Sequence, residues 1–583
     1  MLSANRPSTF TTTLHVGGRS LSLAIAALCA LSSIATAHAP PEAADLALRN
    51  GAVYTLDGAR SWAQAVAIRA GRIVYVGTDA GLASHVGTRT HVVDLHGRML
   101  LPGFQDVHIH PISGGIQASR CDLSGVKSVQ EYVEAVRQYA AAHPDEAWIT
   151  GGGWLMSTFG PGGQARRELL DAVVPNRPVY LTSTDGHTVW VNTRALELAH
   201  ITADTPDPHD GRIDRDPQSH QPLGTLQEGA SAPVDALLPQ PTSAQRIAGL
   251  EYTVRLLNGY GITAIQDAAV YEEDLKTYRA LERRGALSLH VVAALWWEHT
   301  EGLEQIERFE RLRRQYRSVL VDPGTVKIMQ DGVMENYTAL LLEPYQIPGE
   351  VRGIPMVEPG LLREAVTRLD AAGFQVHFHT IGDGAVREAL DAISAARAHN
   401  GDLGHRHHLA HLELIDPADV PRFRELGAAA NFQPLWAFAD DYVTQLTIPF
   451  LGPERSGRLY PIGSLYRSGA VVAFGSDWSV SSANPLEEIQ VAVTRMDPAG
   501  GTTQPMLPQE RIALPEALAA FTINAAWVNR LEKETGSIEV GKRADLVVLD
   551  RNLFAIPVTE IAHTRALVTL FGGRVVHGDL AAL

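Results

Sequence analysis

The chain has 583 residues, 45% of them hydrophobic and 20% charged, with a formal net charge of −16. A chain of that size buries a large core and holds either more than one domain or one barrel with additions. The acidic balance and the lack of any Lys/Arg-rich run argue against nucleic acid or an anionic membrane surface as partner.

Arg6 and Arg19 are the only charged side chains before Glu42. An apolar stretch, residues 21–31, is followed by small residues, and both Ala35-Thr36-Ala37 and Ala37-His38-Ala39 fit an A-x-A cleavage pattern. This predicts a secretory signal peptide over residues 1–39, because the apolar stretch is too short to span a bilayer. A retained anchor is the alternative. The expected location is periplasmic or secreted, with no membrane attachment after cleavage. Cleavage would remove Cys29 and leave Cys121 alone, so no internal disulfide can form. Cys121 reads as a small buried hydrophobe, with a ligand or nucleophile as the alternative.

Residues 43–98 read as short strands and turns. A hairpin is predicted over 46–56, turning at Asn50-Gly51, and another over 65–77, turning at Gly71. The same style returns over 533–583, where 544–550 and 566–577 read as strands and Gly572-Gly573 joins the second pair. Two β-rich ends predict one small composite β-sandwich built from both termini.

The middle, residues 99–532, alternates short apolar strands with helix-length segments. Strands are predicted at 179–182, 264–267, 289–294, 325–329, 375–379 and 471–476, and amphipathic runs at 302–318 and 361–372. Such alternation predicts parallel α/β structure, best fitted by a (β/α)8 TIM-like barrel. Residues 200–224, rich in Asp, Pro and His, read as an inserted loop.

The stretch Asp106-Val107-His108-Ile109-His110-Pro111 follows an apolar run and a Pro102-Gly103 turn signal. Side chains of a strand alternate faces, so His108 and His110 point the same way and can share one metal. Such pairs also occur on solvated edge strands, so the site requires further ligands. In a barrel these belong at the C-terminal strand ends. Lys327, His377, His379, His411 and Asp477 fall there in order. Each alone has an ordinary reading: a snorkelling lysine, hydrogen-bonded interior histidines, a helix N-cap.

With these residues the chain resembles the amidohydrolase superfamily, specifically its amidohydrolase-3 (YtcJ-like) group. The resemblance rests on residues 101–110 (Leu-Pro-Gly-Phe-Gln-Asp-Val-His-Ile-His), 326–332 (Val-Lys-Ile-Met-Gln-Asp-Gly), 379–383 (His-Thr-Ile-Gly-Asp), Gly475-Ser476-Asp477 and 536–546 (Gly-Ser-Ile-Glu-Val-Gly-Lys-Arg-Ala-Asp-Leu). It implies a zinc-dependent hydrolase. His108 and His110 would hold the more buried metal with Asp477, while His379 and His411 would hold a second. Lys327, carboxylated, would bridge the two Zn2+ ions; a single ion is the alternative. His377 competes with His379, and the His-x-Ile-Gly-Asp pattern favours His379. Zinc acidifies water and polarises a carbonyl, and Asp477 would move the proton.

Asp106 and Asp383 are candidates to orient ligand imidazoles. His187, in a motif shared with the family, would contact substrate or simply hold its turn. Trp154, with Trp436 and Trp478, would line an apolar pocket or fill core. Val333-Met334-Glu335-Asn336 and Leu155-Met156-Ser157 depart from the family's usual residues beside the pocket, so the substrate cannot be borrowed from a relative. The expected activity is hydrolysis of an amide-type C–N bond in a small molecule. Alternatives are an ester, lactone, cyclic imide or amidine bond, or a non-catalytic metal-binding or regulatory barrel. A homo-oligomer is open.

Overall fold

The computed structural model describes residues 42–160 and 163–583. The expected signal peptide lies outside the described residues. Among them no helix is long and apolar enough to cross a membrane.

Eight parallel strands follow one another in chain order: β1 (Phe104–Ile109), β2 (Ile262–Val270), β3 (His290–Trp296), β4 (Val321–Met329), β5 (Gln375–Thr380), β6 (His408–His411), β7 (Ala429–Phe432) and β8 (Val471–Phe474). The chain just past β8 returns to β1. There the Asp477 N–H donates to the His108 carbonyl at 2.7 Å and the His110 N–H to the Trp478 carbonyl at 2.8 Å. This nearly closes the sheet into a TIM-like barrel. The approach needs glycine at 475, where a Cβ would lie 2.4 Å from the His108 nitrogen.

All residues of β1, β5 and β6 are buried. These buried strands still carry polar residues: β5 reads Gln-Val-His-Phe-His-Thr, with His377 and His379 on one side and Val376 and Phe378 on the other. Helices such as Gln305–Tyr316 and Pro359–Ala371 supply the outer cover. In the second, Leu362, Val366 and Leu369 form the buried stripe, and the Glu358 side chain caps its start by accepting the Leu361 N–H. Burying such a stripe contributes about 1.5–3 kcal/mol per side chain.

Both termini build two further sheets, of four and six strands. Leu48, Val66, Val548 and Leu570 share one core between them, which makes the unit a sandwich. Two details depart from expectation. Leu46–Arg49 and Ala52–Tyr54 are not a hairpin: at Asn50 (φ 52°) the chain passes from one sheet to the other. Met99–Pro102 pairs with Leu546–Leu549 and Ala52–Tyr54, so the sequence boundary at 98/99 falls inside the sandwich and the barrel starts at Phe104.

The stretch between β1 and β2 is a sheet of its own. Its six strands include Ile149–Trp154, Val179–Ser183, Thr188–Val191 and Pro222–Glu228. Residues 179–182, expected in the barrel, belong here. The expected loop at 200–224 contains the strand Gly211–Arg215 and runs into Pro222–Glu228, with which it pairs antiparallel. Apolar periodicity reports burial but not which sheet a strand joins, hence both differences.

Candidate active site

The C-terminal ends of the barrel strands open into a cavity of about 820 Å3. Of the residues singled out in the sequence, His108, His110, Lys327, His379, His411 and Asp477 all line it, as does His187. His108 lies on β1 and His110 immediately beyond it. Lys327 sits on β4, in register with His377 on β5, and Met329 is in register with His379. His411 ends β6 at φ 76°, and Asp477 follows β8 at φ 53°.

Asp477 stands among the rings. Its Oδ1 lies 3.0 Å from His110 Nε2 and 3.5 Å from His108 Nε2. Its Oδ2 is 4.0 Å from His411 Nδ1. Ligand atoms of His108, His411 and Asp477 all fall within 4.8 Å of one another. Lys327 Nζ is 3.4 Å from His108 Nε2.

Each buried imidazole is held from behind. Nδ1 of His108 meets His377 Nε2 at 2.9 Å, Nδ1 of His379 meets Asp331 Oδ1 at 3.1 Å, and Nδ1 of His411 meets Gln433 Oε1 at 2.9 Å. Asp331 and Gln433 can only accept there, so those two rings donate from Nδ1 and leave Nε2 unprotonated. The same tautomer at His108 follows if His377 accepts, with the His377 proton on Nδ1, a buried atom without a partner. Burial drives His108, His379 and His411 well below the ordinary histidine range, keeping them neutral, as metal ligation requires. Among the described residues, the buried His411 Nε2 has no hydrogen-bond partner. An orphaned donor atom, neutral imidazoles and a carboxylate form a set that fits a zinc-like cation.

The competing strand-five histidines separate cleanly. His379 lines the cavity, whereas His377 lies beneath His108, its ring 4.0 Å from that of His408. Lys327 is buried, which pushes its amine down to about 7, with Asp477 pulling against the shift.

His187 Nδ1 pairs with Glu228 Oε2 at 2.8 Å. Burial lowers this imidazole, but the Glu228 carboxylate overrides it and lifts the pKa to about 9. A histidinium therefore faces the cavity at neutral pH. Trp436 forms a wall, its ring stacked on His411 at 5.3 Å and 4°. Around the same cavity, burial and then neighbouring carboxylates push Glu335 up to about 7, and Glu413 is driven well above its usual range.

Three expected second-rank residues sit elsewhere. Trp154 is fully buried in the core of the inserted sheet, its indole N–H donating to the Leu181 carbonyl at 2.9 Å, and it does not line the cavity. Asp106 accepts from the His108 and Ser476 backbones and the Ser476 hydroxyl, so it pins β1 to the chain beyond β8 rather than orienting an imidazole. Asp383, in the first turn of its helix, accepts the Leu342 N–H at 2.9 Å. Trp478 packs over Gly114. Cys121 is buried and its thiol is pushed up to about 12 by burial, the small hydrophobe expected.

The residues that orient the rings, Asp331 and Gln433, went unassigned. Asp331 was visible inside the Gln330-Asp331-Gly332 motif; it also accepts the Ile381, Gly382 and Leu340 N–H groups. Glu228 carried no sequence signal, because only the Thr188↔Gln227 register brings it to His187.

Known proteins are similar to this chain over nearly its whole length. Protein LONG AFTER FAR-RED 3 of Arabidopsis thaliana is 32% identical, covering 91% of each chain. N-substituted formamide deformylase of Arthrobacter pascens is 29% identical over 91% of this chain and 97% of its own. The crystal structure of an uncharacterized metal-dependent hydrolase from Pyrococcus furiosus superposes with a TM-score of 0.66 at 26% identity, covering 87% of this chain and 99% of that one. The model of the amidohydrolase family matches residues 91–577, and the chain belongs to that family.

Proposed function

We propose that the protein is an exported, zinc-dependent amidohydrolase that cleaves an amide-type C–N bond of a small organic substrate. One observation carries the reading: buried imidazoles held at Nδ1 turn Nε2 toward a cavity that also holds Asp477. His108, His110 and Asp477 would hold one zinc ion, His379 and His411 a second, with Lys327 between them. When bound, zinc acidifies water and polarises the scissile carbonyl.

The chain's own residues supply the rest. An amine lowered to about 7 is about half in the neutral, nucleophilic form that carbon dioxide needs at pH 7, and the carbamate formed on Lys327 is an anion suited to a dinuclear site. Asp477, at the centre of the rings, takes the proton of the attacking water and returns it to the leaving nitrogen. His187, cationic through Glu228, is placed to stabilise charge developing on the carbonyl oxygen. An amide-type bond is supported by the relative whose name is N-substituted formamide deformylase. Export is supported by the signal-peptide pattern at residues 1–39.

Metal analysis together with an amide panel of formamides, anilides, N-acyl amino acids and cyclic amides tests the reading. Asp477→Asn should retain metal while kcat falls by about 10^2 to 10^4-fold. Wild-type protein that binds no metal after zinc loading overturns it.

A further inference from the structure

The cavity is lopsided in charge. Among the described residues nine carboxyl groups line it, against one lysine and no arginine. Two of the nine are accounted for, since Asp477 stands among the ligand imidazoles and Glu228 is paired with His187. Asp185, Glu335, Glu413 and Asp440 are not: among the described residues none forms an ion pair with lysine or arginine, nor with histidine. Asp185 is held by the Ser183 and Tyr442 hydroxyls and the His187 N–H. Asp440 accepts the Val443 N–H.

Glu413 differs from the others. It is only 4% exposed, it lines the cavity, and its Oε2 has no hydrogen-bond partner. A buried carboxyl oxygen left without a hydrogen-bond partner is kept where something else completes it. Among the described residues no group forms a hydrogen bond to that oxygen. Glu335, on the same cavity, has only a long contact to the Thr447 hydroxyl at 3.4 Å. Aromatic rings of Trp436, Phe438, Tyr442 and Tyr460 share this lining, and their faces also attract a cation.

Resting on the reading of this cavity as the substrate site of an amide hydrolase, we infer that the substrate is cationic: an amide bearing an ammonium group, taken up by Glu413 and Glu335. The amide carbonyl faces Asp477 and His187, and the ammonium arm lies among the unpaired carboxylates and aromatic rings. Anionic amides, N-acyl amino acids among them, are disfavoured by the same charges.

Binding tests this independently of turnover. Calorimetric titration of the zinc-loaded full chain at pH 7 compares hexylammonium with its uncharged isostere hexan-1-ol and with hexanoate. The expected result is that hexylammonium binds about ten-fold or more tightly than hexanol, the scale of a hydrogen bond to a charged group, and hexanoate most weakly. Glu413→Gln and Glu335→Gln should each remove most of that preference. Equal affinity for hexylammonium and hexanol overturns the inference, as does tighter binding of hexanoate. A preference that survives in both glutamine variants also overturns it, because the amine would then be held elsewhere. The proposed function fails separately, when the ammonium preference holds but neutral and cationic amides alike go unhydrolysed.

Discussion

Lys327→Met tests the cost of keeping an amine beneath the cavity. Burial lowers Lys327 from 10.5 to about 7, and the side chain is 2% exposed. Between those two values the unfolded chain binds more protons than the folded one, so this group destabilises the metal-free protein and the penalty shrinks as pH rises. Its size is about 4 kcal/mol at pH 7 and about 2 kcal/mol at pH 9. Methionine has a similar unbranched shape and no charge to bury. Over residues 42–583, an unfolding entropy of roughly 2.1 cal/mol/K per residue converts these figures to about 4 °C and about 2 °C in Tm. His187 runs the other way in this window. Raised to about 9, its contribution is fully present below 6.5 and is lost as pH climbs through 9, but both proteins carry it and it cancels. Scanning calorimetry of the chelator-stripped proteins at pH 7, 8 and 9 should show Lys327→Met melting higher, with the gap closing as pH rises. A variant that melts lower, or a gap that widens with pH, refutes the reasoning.

Three further outcomes follow from the same geometry. Glu228→Gln removes the charge that lifts His187, so the alkaline limb of kcat/KM should move down from near pH 9 by about two units or more; an unmoved limb means that His187 does not act as a cation. Asp331→Asn loosens the His379 ring and the three N–H groups that share the carboxylate, and chelator competition should show zinc affinity reduced roughly 10 to 100-fold. Unchanged affinity would remove His379 from the ligand set. Lys327→Ala should hold fewer than two metals per chain by elemental analysis, and two metals with full activity would exclude the bridge.

The barrel, the composite sandwich and most of the cavity histidines were legible along the chain for a physical reason. A polar residue buried on a barrel strand needs a partner or a ligand, so those near a strand's C-terminal end, such as His379 or, just past β8, Asp477, mark chemistry. His108 and His110 were legible as a pair because strand periodicity puts them on one side. Pairings across long sequence separations were not. Asn50-Gly51 carries a turn signal in either case, and only the neighbouring strands decide whether it closes a hairpin or passes between sheets. Trp154, beside a family motif, reads equally as a pocket wall or as core, and only the inserted sheet, which folds it inward, decides for core.

The sequence by itself determined which side chains carry chemistry and that they recur at strand ends, since both are properties of local composition and spacing. Tertiary structure alone decided what stands behind each of them. Asp331 and Gln433 set the imidazole tautomers, and Glu228 charges His187 from 41 residues away. Glu413 keeps a buried oxygen without a hydrogen-bond partner among the described residues. Hydrogen bonds and charge act over a few ångströms of space whatever the distance along the chain, so these roles exist only once the barrel has closed.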